Sequence, residues 1–275
     1  MDELELQQPH DHRIITNHFV AACNADDRVV AAFIGGSYAR GKNGVYSDLD
    51  FGLIITDETY EYFLAEREAF IRLLGEPVFL EDYYGDGADF VFSIFSDGTE
   101  VELALGRESH FNHIHVGPYK VLLDKQGILA GAVFVWNEPT EAEQIETLRG
   151  MINWFWHDLS HHFITPMARG QHWSAYGALE DMRLTCVNLA RLHQNFSAEA
   201  EGFEKVEQAV PVELLAPLEA SFCLMERGAM LQAALTIVHF YQELAPQLAE
   251  AYGIPYPTDL ARVMSGRLEL LCNSN

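Results

Sequence analysis

The chain has 275 residues, 49% of them hydrophobic, which is enough to bury one large core or two smaller ones. Its 41 acidic and 17 basic side chains give a formal net charge of −24. That charge disfavours a nucleic-acid partner, whose phosphates need a basic surface. No apolar run reaches the roughly 18 residues of a membrane span, so we expect neither nucleic acid nor membrane as a partner.

The order of the predicted elements in the first half indicates a mixed sheet with helices. Helical spacing of apolar residues begins at about residue 8, and Asp57 is a plausible N-cap for a second long helix ending near residue 74. Alternating or continuous apolar runs predict six strands, over residues 28–34, 47–56, 77–83, 88–95, 99–105 and 119–123.

Strand signals stop near Asn137, and Thr140 followed by Glu143 forms a capping-box pattern that starts a helix. This helix is predicted over about residues 141–164. Five more helices are predicted at about 171–195, 201–209, 211–227, 229–250 and 256–272. The fold class is therefore α+β. We expect a mixed β-sheet domain with flanking helices over residues 1–137, followed by an all-α helical bundle over residues 138–275.

The most informative passage lies between the first two strands, where Gly35-Gly36-Ser37-Tyr38-Ala39-Arg40-Gly41 is followed by Ser47-Asp48-Leu49-Asp50. Side chains alternate along a strand, so Asp48 and Asp50 point to the same face. Mg²⁺ prefers one or two carboxylates together with substrate phosphates. Gly36 allows close approach of a phosphate, and we expect Ser37 to cap the short helix. These residues predict a site for divalent metal and phosphate.

Gly-Ser followed by Asp-x-Asp resembles the nucleotidyltransferase superfamily, and the longer pattern is similar to its antibiotic-modifying and minimal branches. The resemblance implies Mg²⁺ held by Asp48 and Asp50, and a nucleoside triphosphate, ATP or another, contacted by Gly36, Ser37 and Arg40. It implies transfer of a nucleoside monophosphate to a hydroxyl of a small acceptor such as an aminoglycoside or lincosamide, with release of pyrophosphate. By analogy, the helical half binds the acceptor and the chain forms a homodimer.

A third carboxylate is expected near the aspartates, and two candidates follow. Glu102, within an apolar strand, is favoured as a third metal ligand or as the base that takes the proton of the acceptor hydroxyl. Glu108 is the rival base, because Gly-Arg-Glu-Ser-His-Phe is similar to a glutamate-containing stretch of the lincosamide nucleotidyltransferases. The sequence leaves the choice open.

Aromatic, acidic and histidine side chains share one side of the first helix of the bundle. We expect Trp154, Trp156, His157 and Asp158 to contact the acceptor, although core packing of the tryptophans is an equal alternative. His157 and His161 have metal-ligand spacing, but no third ligand is evident, so structural histidines are favoured over a metal site.

The compartment and two other functions follow from the remaining features. Scattered cysteines without Cys-x-x-Cys spacing, and an acidic start unlike a signal peptide, predict a reducing cytoplasm. One alternative function is that of a protein-AMPylating antitoxin like the minimal nucleotidyltransferases, which are usually about half this length. The other is a non-catalytic nucleotide-binding protein, which the intact Ser37, Asp48 and Asp50 disfavour.

Overall fold

The computed structural model describes residues 12–85, 87–134, 139–197 and 202–274. The chain divides into two compact units, Met1–Asn137 and Glu138–Asn275. The predicted domain boundary falls on residues 135–138, outside the described residues.

The first unit contains a mixed six-stranded sheet, as predicted, with the strand order β3-β4-β5-β2-β1-β6. All neighbouring strands are antiparallel except β2 and β5, which run parallel. In chain order the elements are α1 (His12–Ala25), β1 (Val29–Ile34), α2 (Gly36–Arg40), β2 (Leu49–Ile55), α3 (Tyr60–Ile71), β3 (Pro77–Gly85), β4 (Ala88–Phe95), β5 (Glu100–Arg107) and β6 (Lys120–Asp124).

The central strands are buried on both faces, which explains their nearly continuous apolar sequences. All six residues of β1 are buried. On one face, Phe51 of β2 stacks on Phe19 of α1, with ring centroids 4.0 Å apart. On the other face, the ring of Phe33 lies over Gly52, where an added Cβ would come within 2.0 Å of it. The central part of the sheet is thus covered on both sides.

The start of α3 differs from the prediction. The helix begins at Tyr60 with Thr59 as its N-cap, not at Asp57. The carboxylate of Asp57 instead accepts hydrogen bonds from the backbone N–H and the hydroxyl of Ser109. The residue therefore joins two loops of the unit, a long-range role that helix-start patterns cannot indicate.

The second unit is entirely helical in its described residues, as predicted. Its elements are α4 (Glu141–His157), a π-helical segment (Asp158–Ile164), α5 (Thr165–Ala168), α6 (His172–Gln194), α7 (Val206–Ala209), α8 (Val212–Glu219), α9 (Arg227–Ala251) and α10 (Thr258–Cys272). The predicted capping box at Thr140 is present in both directions, since Glu143 accepts from Thr140 and Thr140 accepts from the backbone of Glu143. No described helix is long and apolar enough to cross a lipid bilayer.

The core of the second unit is built around α4, α6 and α9. Phe155 of α4 and Tyr241 of α9 stack with ring centroids 3.7 Å apart, and the hydroxyl of Tyr241 donates to the carbonyl of Ile152. Three predicted helices are wrong in extent. The helix over 141–164 changes to π geometry at Asp158, the helix predicted over 201–209 begins only at Val206, and the helix predicted over 211–227 ends at Glu219.

Candidate active site

The site begins where β1 ends and the chain turns into α2. The backbone N–H of Gly35 donates to the carbonyl of Asp50 at 2.8 Å, which extends the antiparallel pairing of β1 and β2 by one residue. The Gly-Ser turn is therefore attached directly to the strand that carries the aspartates. The Gly-Ser motif and the Asp-x-Asp motif, which are separated in the sequence, are therefore neighbours in the fold.

Gly36 and Asp50 approach each other so closely that no residue with a side chain would fit at position 36. Gly36 has a φ of +51°, in the left-handed region. A Cβ at this position would lie 1.6 Å from Oδ2 of Asp50. Both the backbone conformation and the approach of the carboxylate therefore require glycine.

Ser37 lies in the first turn of α2 and does not cap it. The N-cap residue is Gly35, so the predicted capping role of Ser37 is wrong. Its Oγ is buried and has no hydrogen-bond partner in the described part of the chain. Buried hydroxyls are nearly always paired. An orphan hydroxyl in this turn is what a polar ligand group would satisfy.

The two aspartates and Glu102 form one electrostatic group. Asp50 and Glu102 are register partners on the parallel strands β2 and β5. Burial, followed by the charges of Asp48 and Glu102, raises the pKa of Asp50 to about 6, and the charge of Arg40 opposes this shift. A half-buried carboxylate beside two others favours a bound cation or a bound proton.

The structure separates the two candidate glutamates. Glu102 lies beside Asp50, and its Oε2 accepts a hydrogen bond of 2.7 Å from the hydroxyl of Tyr83. Glu108 follows the other end of β5, where its backbone N–H donates to the carbonyl of Ile55. Six residues of strand span about 20 Å. The structure therefore does not bring Glu108 to the aspartates.

Several residues near the turn were not singled out as ligand contacts. The ring of His115 covers Gly35, where an added Cβ would lie 2.3 Å from its Cε1, and its Nε2–H donates to the carbonyl of Pro118. Burial lowers the pKa of His115, which favours the neutral ring. Lys120 of β6 donates to the carbonyl of Tyr38 at 2.5 Å. The scarcity of lysine in the sequence was a signal that could have drawn attention to Lys120.

These observations fit a divalent metal and a nucleotide phosphate. The carboxylates of Asp48 and Asp50 supply the hard oxygen ligands that Mg²⁺ prefers. The turn at Gly36 leaves no side chain between backbone and ligand, and Ser37 offers an unpaired hydroxyl. Arg40 is exposed at the end of α2, where its charge already acts on Asp50.

In the helical unit, the two predicted acceptor-contacting tryptophans have different environments. Trp156 is 1% exposed and packs edge-on against Tyr241, so it belongs to the core and cannot contact an acceptor. Trp154 is 62% exposed, with its ring edge-on to His157 at 5.2 Å. Of the four predicted contacts, Trp154, His157 and Asp158 therefore retain access to solvent.

Comparison with models of protein families gives a match along almost the whole chain. The model of the streptomycin adenylyltransferase family matches residues 11–269. No curated protein matches the chain closely enough to count as a relative.

Two solved structures show weak overall similarity. An aminoglycoside 6-adenyltransferase from Bacillus subtilis has 14% identity and a TM-score of 0.44, covering 95% of this chain and 97% of its own. A nucleotidyltransferase-like protein from Exiguobacterium sibiricum 255-15 has 12% identity and a TM-score of 0.38, covering 84% and 73%. The resemblance carried by Gly36, Ser37, Asp48 and Asp50 is confirmed by the family match, which extends through both units. The protein is a nucleotidyltransferase, and the chain belongs to the streptomycin adenylyltransferase family.

Proposed function

We propose that the protein transfers AMP from ATP to a hydroxyl group of a small cationic acceptor of the aminoglycoside type and releases pyrophosphate. The observation that carries the proposal is the placement of Asp50 and Glu102 side by side on parallel strands, next to a turn that only glycine can form at position 36. This arrangement offers a cation site, a phosphate site and a spare carboxylate together.

Asp48 and Asp50 would hold Mg²⁺, and Gly36, Ser37 and Arg40 would contact the triphosphate. The metal, when bound, supplies positive charge that offsets the charge developing on the attacking and leaving oxygens. The chain itself contributes the orphan Ser37 hydroxyl as a hydrogen-bond donor to a phosphate oxygen. It also contributes Arg40, whose long-range charge favours an anion here.

Glu102 is the proposed proton acceptor. Its carboxylate takes the proton of the acceptor hydroxyl while the hydroxyl oxygen forms a bond to the α-phosphorus of ATP. The bond from the α-phosphorus to the bridging oxygen breaks, and pyrophosphate leaves with both electrons. The hydrogen bond from Tyr83 fixes Glu102 Oε2, so the base is held in position before the acceptor arrives. A ligand role for Glu102 is the alternative that experiment can separate.

The acceptor class rests on charge and family. A net charge of −24 raises the local concentration of polycations, and the description of the family names streptomycin. We assign catalysis to residues 1–137 and acceptor binding to residues 138–275, with the exposed Trp154 and the half-buried Asp158 as contacts. Lincosamides are the second acceptor class to test.

We also propose that the reaction takes place in the cytoplasm and that the chain forms a homodimer. All four cysteines are free, which suits a reducing cytoplasm where ATP is available. A homodimer is expected by analogy with related enzymes, and its mass in solution tests that expectation.

The test is pyrophosphate release from ATP and Mg²⁺ in the presence of individual acceptors, with product mass measured in parallel. A product heavier than the acceptor by one AMP, formed with an aminoglycoside and absent in Asp50→Asn, supports the proposal. Label from ATP on a protein partner would instead favour the antitoxin-like function. ATP binding without turnover on any aminoglycoside or lincosamide would favour a non-catalytic protein.

A further inference from the structure

A group of metal-ligating side chains that the proposed transfer of AMP does not use as ligands lies in the helical unit. His157, Asp158 and His162 each place one ligand atom within 4.8 Å of the others. In the described ranges this is the one place where three such atoms come that close. The carboxylates of Asp48, Asp50 and Glu102 do not converge so tightly.

The π-helical segment explains why these three residues meet. In an α-helix, residues three and four apart are neighbours, which pairs His157 with His161. In π geometry the backbone hydrogen bonds join residues five apart. Asp158 and His162 are four residues apart and are neighbours in either geometry. The segment Asp158–Ile164, which starts after His157, brings His162 beside His157 as well. Such segments are rare and occur often at functional sites.

The rest of the segment is fixed, so the ligands project from a rigid base. Leu159 and Phe163 are fully buried in the core of the helical unit. Ser160 is held at two points: its carbonyl accepts from the hydroxyl of Thr165, and its own hydroxyl accepts from Arg267 of α10 at 3.1 Å. Packing and hydrogen bonds of this segment thus stabilise its π geometry. The residues on its other side form the cluster.

The charge and access of the cluster suit a cation. Asp158 is half-buried, and no lysine or arginine of the described chain pairs with it. The carboxylate of Asp181 adds a second negative charge nearby. The two histidines are exposed, and the ring of a third, His161, lies within 5.3 Å of His157. A metal can therefore reach the three ligands from solvent.

The donor set selects the class of metal. Two imidazoles and one carboxylate suit Zn²⁺ and neighbouring transition metals, whereas Mg²⁺ prefers oxygen ligands alone. Ligand atoms at about 2.0–2.2 Å from one ion lie no more than about 4 Å apart. Small side-chain rotations would close the site. We propose that His157, Asp158 and His162 form a binding site for a zinc-class metal ion on the helical unit.

The experiment titrates Zn²⁺ into the full-length protein by calorimetry, after treatment with chelator and in an excess of Mg²⁺ that occupies the carboxylates of the first unit. Native protein should bind one Zn²⁺ per chain. His162→Ala should weaken this binding at least about tenfold, the minimum expected when a ligand is lost. Asp158→Asn, which keeps the shape of the side chain, should weaken binding as well. Co²⁺ should give an absorption band in the native protein that both variants lose.

The matched control is His239→Ala, which removes an exposed helical histidine paired with Glu243 four residues on. It should leave Zn²⁺ affinity and stoichiometry unchanged. Circular dichroism checks that each variant keeps its helical content. If native protein binds no Zn²⁺, or if His162→Ala and Asp158→Asn bind it as tightly as native protein, the proposal is overturned. Because the readout is metal binding, this outcome is independent of the transfer reaction.

Discussion

Glu102 of β5 lies beside Asp50 of β2 in the parallel part of the sheet, and its charge contributes to the raised pKa of Asp50. The two carboxylates project from neighbouring strands on the same face of the sheet, because side chains of register partners point in the same direction. The fold therefore keeps like charges together at a cost in stability. A cation or a transferred proton at this position relieves that cost, and the pair defines the chemistry of the site.

The first prediction separates the two roles of Glu102. With Glu102 as the base, Glu102→Gln lowers kcat at least about 100-fold, the usual contribution of a positioned base. Mg²⁺-dependent binding of ATP changes little, because Asp48 and Asp50 remain. Pre-steady-state rates and equilibrium dialysis with labelled ATP measure the two effects. Weakened Mg²⁺ binding would assign Glu102 as a ligand, and unchanged kcat would exclude both roles.

Glu108→Gln is the control for that experiment. The residue follows the opposite end of β5, about 20 Å along the strand from Glu102. The same chemical change should therefore leave kcat within about twofold of the native value, an effect below about 0.5 kcal/mol. A large loss of rate in this variant would contradict the position that the strand register gives it.

The second prediction concerns Gly36. Gly36→Ala forces a Cβ into the carboxylate of Asp50 and strains a backbone with φ of +51°. ATP binding and turnover should be lost. Gly41→Ala is the matched control, because Gly41 also has positive φ, +68°, but nothing lies within 4 Å of its added Cβ. Each variant should lose about 1–2 kcal/mol of stability from backbone strain, while Gly41→Ala keeps ATP binding. Equal activity in the two variants would remove the argument from close contact.

The aspartate part of the site could be predicted from sequence because it depends on local geometry. Asp48 directly precedes β2 and Asp50 is the second residue of that strand, so the two acids are close because they are close in sequence. The glycine turn beside them also needs no long-range information. The choice between Glu102 and Glu108 was different. It depends on the register between β2 and β5, strands separated by about fifty residues, and sequence periodicity contains no information about register.

The helical unit shows the same limit for helix faces. Trp154 and Trp156 were expected on one binding surface, yet the first is exposed and the second is buried against Tyr241. The direction of a buried tryptophan depends on the helices that pack around it. The π-helical segment also brings His162 close to His157, in addition to His161, and regular helical spacing does not predict this extra neighbour.

The third prediction uses the pKa of Asp50, which is raised from an ordinary value of 3.8 to about 6. A raised carboxyl pKa means that the folded protein binds more protons than the unfolded chain between these values. Stability of the metal-free protein therefore falls as pH rises through this window, and the full penalty applies above about pH 6. Asp50→Asn removes the penalty.

Chemical unfolding in chelator measures the effect. Asp50→Asn should be more stable than native protein at pH 8 by on the order of 1–2 kcal/mol, a figure reduced for partial solvent screening. The difference should disappear near pH 4. Adding Mg²⁺ should stabilise native protein and not the variant. Asp27→Asn, at an exposed loop aspartate, should show neither effect. If Asp50→Asn is less stable than native protein at pH 8, the ionised Asp50 carboxylate does not destabilise the metal-free protein, and the prediction is contradicted.

The last prediction tests the stability of the helical unit through Arg183, a nearly fully buried arginine on α6. Its Nε and Nη2 donate to the hydroxyl and carbonyl of Ser221, and its guanidinium lies 4.0 Å from the ring centroid of Phe222. Arg183→Met keeps the length of the side chain but leaves the buried Ser221 carbonyl without this donor. Loss of the charged hydrogen bonds and the ring contact should cost about 2–4 kcal/mol. Arg262→Met, the same change at an exposed arginine paired with Asp259 three residues away, should cost less than about 0.5 kcal/mol. Urea unfolding followed by tryptophan fluorescence compares the two, and equal losses would mean that Arg183 contributes no more than a surface ion pair.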